Sequence, residues 1–431
     1  MSHAGKFVTT VAVQLANNVP SLKRNICDAV KDRSDITGQS LQDQWCQLVL
    51  RPLLKLDGSS SLSSYILVVD ALDECDDDNN IRMILQLLAE SRLLKTVRLR
   101  VFLTSRPDIP IRYGFCPDAE HQDFVLHGIS PSIVDHDISI FLKHNLGLIG
   151  QERSLDTDWP GEQVIERLVQ NASGLFIWAA TACRFIREGK RFVAKRLATI
   201  LDGSSSSVSA PEKHLNKIYI TVLQNSIYPD YTHEEKDDLY MMLRHILGSI
   251  VVLFSPLSAD SLGTLLHVAK KDVDQTLVDL HAIMDIPKDQ TRPLRLHHPS
   301  FRDFLLDKER CTDSNLRVNE KQAHRELADS CIRLMSEKLR RDICGLPSPG
   351  ALATEVQQER IKQCLPAELQ YACLYWVQHI QKSDTRLQDD GEVHVFLQKH
   401  LLHWLEALSL LRKISDGILA LISLDSINAV S

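Results

Sequence analysis

The stretch Tyr65-Ile-Leu-Val-Val-Asp-Ala-Leu-Asp-Glu74 decides how this chain folds. It opens with a continuous apolar run rich in β-branched residues and ends in acids, a pattern typical of a central parallel strand buried on both faces. A second apolar run, Leu99-Arg-Val-Phe-Leu-Thr104, follows a segment from Ile81 to Leu94 whose apolar residues recur at helical spacing. Strand, helix and strand in about 40 residues predict a β-α-β unit with a right-handed crossover.

The rest of the chain is predicted to be mostly helical. Phe124-Val-Leu-His127 is a candidate third strand, but from Ser130 onward the apolar residues follow a helical period, with a break at Gly174. Two short strands, near Ala282 to Ile286 and Leu294 to His297, interrupt this pattern. Further helices are predicted over Phe7–Ala16, Leu41–Leu56, Val164–Ile186, 212–225, 234–253, 258–268, 272–282, Tyr371–Trp376 and Phe396–Leu411.

Length and composition indicate a soluble protein of several domains. At 431 residues the chain predicts about three folding units. An apolar fraction of 44% and a charged fraction of 24% are typical of globular proteins. The net charge of −7 provides no basic field for nucleic acid or an anionic membrane. The serine-rich run Gly203-Ser-Ser-Ser-Ser207 is a predicted linker.

Neither secretion nor a membrane span is predicted. The polar start of the chain is unlike a signal peptide. The longest apolar stretch, Ile246 to Phe254, is far shorter than the roughly 20 residues of a spanning helix and predicts a buried helix. The ten cysteines form no C-x-x-C pair, which favours reduced thiols in a cytoplasmic protein over disulfides or a zinc site.

The acids after the first strand are candidates for metal and nucleotide chemistry. In P-loop ATPases an acid at the carboxyl end of a buried strand holds Mg²⁺, and a second acid nearby polarises water. Asp70 stands at the metal position, with Asp73 and Glu74 as candidate catalytic acids. Arg106 follows the next strand, so it is expected at the same edge, where a guanidinium can bind phosphate. The alternative is an ordinary acidic turn that caps the following helix.

Together these residues carry a resemblance to a known family. Four apolar residues followed by Asp-Ala-Leu-Asp-Glu, and then Leu103-Thr-Ser-Arg-Pro107, resemble the Walker B and sensor 1 motifs of fungal NACHT domains, in the STAND class of signal-transducing P-loop NTPases. Ala4–Leu15, Gly174–Ala179 and Leu296–Leu305 resemble further segments of the same proteins. The helical segments Tyr371–Trp376 and Phe396–Leu411 resemble the linker that leads into WD-repeat propellers in fungal relatives, although this chain has no blade repeat.

The resemblance implies an α/β fold: a partial P-loop NTPase parallel sheet, then a helical domain, a winged-helix domain and a helical C-terminal extension. It also implies ATP or ADP with Mg²⁺ as cofactors. In the family, a histidine of the winged-helix motif contacts the β-phosphate of ADP and latches the inactive state, and this role falls on His298. The alternative for His298 is a histidine packed at the edge of a strand. The implied domains are 1–128, 129–203, 208–310 and 318–431.

One expected element of the family is not in the sequence. A phosphate loop requires G-x-x-x-x-G-K-S/T, whose amides cradle the phosphates. Gly5-Lys6 and Gly189-Lys190 both lack the required neighbours. The family's first strand and phosphate loop are expected just before residue 1, so either the gene model begins late or the chain is a decayed paralogue. ATP or GTP hydrolysis by this chain alone is not expected, because phosphoryl transfer depends on those groups.

Three hypotheses follow for the function. The first is a nucleotide-controlled signalling switch, of the kind linked in fungal relatives to non-self recognition and cell death. The second is a nucleotide-free regulatory or scaffold module that binds related NACHT proteins or itself. The third, DNA binding by the winged helix, is disfavoured: Pro256 to Ser300 carries five lysines and arginines against six aspartates, where a basic face is needed.

Overall fold

The chain forms two compact units, residues Met1–Phe124 and Val125–Ser431, and each is described by itself. The structure is a computed structural model. It describes residues 4–33, 35–56, 63–75, 78–94, 97–106, 122, 124, 126–202, 211–227, 231–346, 356–385, 387–388 and 390–429. The predicted linker Gly203–Ser207 lies outside the described residues.

The first unit opens with helices, as the periodicity predicts. Helix α1 spans Phe7–Asn18 and α2 spans Pro20–Asp32. Helix α3, Leu41–Trp45, continues through a π-helical turn, Cys46–Leu50, into α4, Arg51–Leu54. The indole of Trp45 is fully buried, and this residue belongs to an apolar core formed by these helices and the following β-α-β unit.

The predicted β-α-β unit is present. Strand β1, Ser63–Val69, leads through helix α5, Asp78–Glu90, to strand β2, Val97–Leu103. The two strands are parallel, with Tyr65 opposite Leu99. Helix α5 buries the apolar residues that its period places on one face, listed as Ile81, Ile84, Leu85, Leu87 and Leu88. The run of β-branched residues therefore forms a strand, as expected.

The prediction that β1 is buried on both faces is wrong for the described residues. Tyr65, Leu67 and Val69 pack against the core of the unit. On the opposite face, Ile66 is 72% exposed and Val68 is 62% exposed, beside Phe102 of β2 at 59%. The reason is topological: in the described part of this unit the sheet has two strands, and the core cluster lies on one side of it.

The second unit begins with four helices. The predicted third strand at Phe124–His127 is wrong where it is described, because Leu126–Gly128 is a 3-10 turn that leads into a proline-initiated helix. The predicted break at Gly174 is confirmed: Ser173 and Gly174 have φ values of 48° and 78°, which end one helix before the next begins. The helices are α6, Pro131–Glu152; α7, Glu162–Ala172; α8, Phe176–Glu188; and α9, Val193–Asp202.

Four helices and two short strands follow close to their predicted positions. Thr232 caps the second of these helices in a capping box with Glu235. The strands β3, Met284–Asp285, and β4, Arg295–Leu296, are antiparallel. Whether this segment is a winged-helix domain, and where the domains divide, stay predictions. The helices are α10, Pro211–Asn225; α11, His233–Val252; α12, Ala259–Leu266; and α13, Lys270–Leu277.

The remaining chain is helical, as predicted. The rings of Trp376 and Trp404 meet edge to face at 5.5 Å, and the Trp404 indole N–H donates to the Cys373 carbonyl at 2.8 Å. These contacts anchor the two helices predicted at Tyr371–Trp376 and Phe396–Leu411. The helices are α14, Ser300–Leu306; α15, Glu320–Lys338; α16, Gln358–Cys364; α17, Ala367–Lys382; α18, Glu392–Leu410; and α19, Ile414–Ala429. Among the described residues, no helix is both long and apolar enough to cross a membrane.

Candidate functional site

The carboxyl ends of the two parallel strands carry the polar residues predicted from the sequence. Asp70 and Thr104 are the first residues beyond β1 and β2. The Thr104 hydroxyl donates to Asp70 Oδ1 at 2.5 Å and accepts the Ala71 N–H at 2.8 Å. The carboxylate of Asp70, an exposed residue, is therefore oriented by the neighbouring strand.

A left-handed residue turns the chain back across the sheet edge. Ala71 has φ 54° and ψ 56°, a conformation that costs a residue with a Cβ about 1–2 kcal/mol. The 3-10 turn Leu72–Glu74 follows, and the Leu72 N–H donates to the Thr104 carbonyl at 3.0 Å. This turn carries Asp73 to the end of β2.

Asp73 binds the predicted phosphate-sensing arginine. Its Oδ1 accepts the Arg106 backbone N–H at 3.0 Å and the Ser105 hydroxyl at 3.3 Å, and its Oδ2 lies 3.4 Å from Arg106 Nε. The Asp73 side chain is 9% exposed, whereas that of Arg106 is 42% exposed. Asp73 therefore fixes the backbone and the guanidinium of Arg106, while part of the guanidinium faces solvent.

Glu74 occupies a different environment at the same turn. It is exposed, whereas the side chain of Asp73 is only 9% exposed and already binds Arg106 and Ser105. Of the two predicted catalytic acids, Glu74 is the one with the freer access to a water molecule.

The carboxyl edge of the sheet offers some of the oxygen ligands that Mg²⁺ needs. Mg²⁺ is bound by one or two carboxylates together with phosphate oxygens and waters. Asp70 supplies one exposed, oriented carboxylate, and the Thr104 hydroxyl beside it is a second hard oxygen. In the described part of the chain, no three His, Cys, Asp or Glu side chains gather at a metal-binding spacing. The remaining ligands of such an ion would come from the nucleotide and water.

His298 is positioned by a hydroxyl network in the second unit. Its Nδ1 accepts the Ser300 N–H at 3.2 Å and lies 2.7 Å from Ser300 Oγ, which is 2.8 Å from the Tyr219 hydroxyl. Since Nδ1 is an acceptor here, the neutral imidazole carries its proton on Nε2. This tautomer can donate to an anionic oxygen, as the family role requires.

The neighbouring His297 has a structural role. Its Nε2 lies 3.0 Å from the His281 carbonyl, to which it donates. Burial lowers the pKa of His297, and the positive charge of Arg184 lowers it further. The neutral form of His297 is therefore favoured.

The structure brings four of the five predicted site residues to one edge of the sheet: Asp70, Asp73, Glu74 and Arg106. The fifth, His298, lies in the second unit, and its predicted role stays a prediction. Thr104 and Ser105 were missed as functional residues. Their signal was available in the sequence, because both hydroxyls directly follow the second apolar run.

Comparison with known proteins supports the resemblance that the motifs carry. The model of the family described as Nephrocystin 3, N-terminal, matches residues 1–106, which contain the whole β-α-β unit and its polar edge. The chain is a relative of fungal NACHT-type proteins, as the resemblance of its motifs predicted.

One such relative is the vegetative incompatibility protein HET-E-1 of Podospora anserina. This chain is 27% identical to it over 389 residues, an alignment that covers 84% of the chain. The chain spans 26% of the length of this relative, about a quarter.

Proposed function

We propose that the chain is the nucleotide-controlled part of a NACHT-class signalling protein, with ADP or ATP and Mg²⁺ as its ligands. The observation that supports this most is the position of Asp70 and Arg106 at one edge of a parallel sheet, joined through the Thr104 and Asp73 hydrogen bonds. Ligands of open α/β sheets bind outside the carboxyl ends of the strands.

Each residue of the edge has a distinct role in this proposal. Asp70 binds Mg²⁺, and Arg106 binds phosphate through the part of its guanidinium that faces solvent. Asp73 positions Arg106, because it binds both its backbone N–H and its Nε. Glu74 then remains as the acid that polarises water, if hydrolysis occurs with a phosphate loop supplied from outside these 431 residues.

His298 extends the proposal to the second unit. Its Nε2–H donates to the β-phosphate of ADP and so stabilises a closed state. The ligand shifts the population toward that state only by the difference between its affinities for the closed and open states. Exchange of ADP for ATP then releases the second unit for self-association or for binding to related proteins.

The biological setting is proposed from the relative. Its name ties that protein to vegetative incompatibility. We place this chain in fungal non-self recognition or cell-death signalling, as a cytoplasmic protein that acts through protein partners.

A nucleotide-free interaction module is the second candidate. Two observations favour it: the sequence contains no G-x-x-x-x-G-K-S/T segment, and Ile66, Val68 and Phe102 leave an apolar sheet face exposed. Parallel sheets are normally covered on both faces, so this face suits a protein partner.

The two candidates are separated by the nucleotide that co-purifies with the chain. The purified 431-residue protein is denatured, and released ADP and ATP are quantified against protein by chromatography. The switch predicts near-stoichiometric ADP, and its loss in an Asp70→Asn, Arg106→Ala double variant. Asn keeps an oxygen that accepts the Thr104 hydroxyl, so Asp70→Asn removes the charge and retains that hydrogen bond. Arg106→Ala removes the guanidinium and its contact with Asp73.

The matched control is an Arg98→Ala, Arg100→Ala variant, because both arginines are exposed on β2 away from its carboxyl end. Its nucleotide content should equal that of the unaltered chain. Absence of nucleotide from a folded, monodisperse sample eliminates the switch for this chain and leaves the interaction module.

A further inference from the structure

Two histidines lie about one turn apart on the same face of α18. His400 and His403 are separated by the three-residue spacing that makes side chains neighbours on a helix surface. Nδ1 of His403 lies 3.4 Å from Nδ1 of His400, and the two rings meet edge to face with their centroids 5.4 Å apart. Both residues are half-buried, so solvent reaches part of this pair.

The ring of His400 is held in place by the core of the second unit. It stacks on the Phe396 ring at 5.7 Å, with an angle of 10° between the ring planes. Phe396 is itself buried and meets Trp376 edge to face at 5.4 Å. The imidazole of His400 therefore has one orientation before any ligand arrives, which lowers the entropic cost of binding.

The spacing of the two nitrogens fits a tetrahedral metal ion. Zn²⁺ binds histidine nitrogens at about 2.0–2.1 Å, so two of them at the tetrahedral angle are about 3.3–3.4 Å apart. At the same bond length, two neighbouring ligands of a square-planar Cu²⁺ site would be only about 2.8–3.0 Å apart. The observed 3.4 Å matches the tetrahedral value. It is also wider than the separation of about 2.7–3.2 Å that is usual for an N–H donor and its acceptor.

We propose that His400 and His403 form a zinc-binding site, with Nδ1 of each ring as a ligand. Without metal, one Nδ1–H points to the other Nδ1. When Zn²⁺ binds, that proton passes through water to Nε2 of the same ring, so both imidazoles stay neutral and no proton is released. Water or a ligand from solution fills the other two positions of the tetrahedron, as it fills the open position of other zinc sites.

The chemistry of the pair suits zinc and goes beyond the nucleotide proposal. Burial, and next the neighbouring His403, lower the pKa of His400, so its imidazole is neutral at pH 7. The neutral form is the one that binds metal. Imidazole nitrogen suits Zn²⁺, whereas Mg²⁺ prefers oxygen ligands. The site therefore takes a different ion from the one proposed for the sheet edge.

The buried pair of His324 and His379 provides an internal comparison. Their Nδ1 atoms are only 2.7 Å apart, and the two residues are 2% and 0% exposed. That distance is typical of a hydrogen bond and too short for two ligands of tetrahedral Zn²⁺. We expect this pair to bind no zinc.

The test uses the full 431-residue chain without a histidine tag, after EDTA treatment and alkylation of accessible thiols, which would compete for zinc. Zn²⁺ is titrated by calorimetry at neutral pH in excess Mg²⁺, which occupies sites made of oxygen ligands. We expect one Zn²⁺ per chain at this pair. In His400→Gln and in His403→Gln the affinity should fall by more than the roughly 10- to 100-fold that loss of an outer-shell partner costs, because a ligand itself is removed.

Two other histidine variants serve as controls. His394 lies on the same helix, but its ring nitrogens contact Asp390 and Gln398, so His394→Gln should bind zinc like the unaltered chain. His324→Asn should do so as well, because it changes only the buried pair. Zinc binding that is unchanged in both His400→Gln and His403→Gln, or that falls equally in His394→Gln, would overturn the proposal.

Cobalt provides a readout of the geometry that does not depend on a substitution. Co²⁺ takes the place of Zn²⁺ and absorbs visible light more strongly in a tetrahedral site than in an octahedral one. We expect this absorption in the unaltered chain and its loss in His403→Gln. Its absence from the unaltered chain would overturn the proposal. Since neither histidine belongs to the sheet edge or contacts His298 in the described structure, failure of this test leaves the nucleotide proposal unchanged.

Discussion

At the scale of single residues, Asp73 determines the geometry of the sheet edge. Both of its carboxylate oxygens are used on the end of β2, by Ser105 and by the backbone and side chain of Arg106. A largely buried carboxylate with several donors of this kind has a positioning role. The sequence pattern alone did not distinguish this role from a catalytic one.

We expect Asp73→Ala to lower the free energy of unfolding of the first unit by about 1–3 kcal/mol, because the Arg106 N–H loses its acceptor and the Arg106 guanidinium loses its ion pair. Asp73→Asn should cost less, since an amide oxygen remains. Urea unfolding measures both variants. Asp28→Ala is the control: Asp28 is exposed and pairs with exposed Arg24 at 3.9 Å, so it should change stability little. Equal effects at Asp28 and Asp73 would contradict the positioning role.

At the scale of elements, a buried histidine pair joins α15 to α17. His324 Nδ1 lies 2.7 Å from His379 Nδ1, and the Tyr371 hydroxyl lies 2.7 Å from His379 Nε2. The Tyr371 oxygen also accepts the Phe254 N–H at 3.2 Å, so its own proton goes to His379 Nε2. His379 therefore donates from Nδ1 to His324, and each imidazole is neutral with one defined tautomer.

Protonation of either imidazole places a proton where a donor already points. Burial, followed by the charges of Lys382 and Arg302, lowers the pKa of His324 from 6.5 to about 4. Burial and then His324 lower the pKa of His379 well below its usual value. Between pH 6.5 and 4 the unfolded chain binds more protons than the folded chain. Acid therefore destabilises the fold at this histidine pair, and the contribution of the pair to stability is fully present only above pH 6.5.

Glu188 in α8 titrates in the opposite direction over part of this range. Burial is the main cause that raises its pKa to about 7, against the charge of Arg196. Acidification from pH 7 therefore stabilises the fold by neutralising the buried Glu188 carboxylate, and destabilises it by protonating the buried histidine pair. A measurement on the unaltered chain alone mixes the two effects, so the histidines must be tested by difference.

Between pH 7 and pH 5 the free energy of unfolding should fall by up to about 2 kcal/mol less in His324→Asn than in the unaltered chain. This is the contribution of a group whose pKa is lowered from 6.5 to about 4 on folding. Asn keeps an acceptor for the His379 Nδ1–H but does not titrate. Urea unfolding of the second unit at the two pH values measures this difference. His233→Asn is the control, because that side chain is 93% exposed. An unchanged pH dependence in His324→Asn would show that His324 does not contribute to the stability lost in acid.

Two valines of the first unit, one exposed and one buried, allow a matched pair of substitutions. Val68 is 62% exposed on β1, whereas Val49 in the π-helical turn is fully buried. Val68→Thr should change the free energy of unfolding by less than about 0.5 kcal/mol. Val49→Thr should cost about 1–3 kcal/mol, because it buries a hydroxyl. If both substitutions cost the same, the face that carries Val68 is covered in solution, as by self-association.

Most helices and strands could be predicted from the sequence, because they depend on the local spacing of apolar residues. The exceptions are the strand expected at Phe124–His127 and the helix Pro20–Asp32, which was not predicted. The helical spacing of apolar residues in α5 and the helix break at Gly174 both appear where predicted. The burial of the two faces of β1 could not be predicted from the sequence, because it depends on which elements cover each face. The Asp73 to Arg106 contacts were also missed, since the left-handed turn at Ala71 that brings them together has no glycine to signal it.

At the scale of the whole molecule, each unit has a core of its own. One apolar cluster draws its buried residues from Val8 to Val97, and the other draws them from Ile138 to Leu424. No buried residue of either cluster, as described, comes from the other unit. Cooperative unfolding depends on a shared core, so the chain should not behave as one two-state protein.

We therefore expect two unfolding transitions that respond to different substitutions. Leu87 of α5 and Leu327 of α15 are each fully buried, and truncation to alanine should cost about 2–5 kcal/mol in the unit concerned. Hydrogen exchange of peptides from each unit, followed by mass spectrometry at rising urea, reports the units separately. Leu87→Ala should shift only peptides before residue 125, and Leu327→Ala only those after it. If either substitution shifts both sets equally, the two cores are energetically coupled, and the prediction of two separate transitions is wrong.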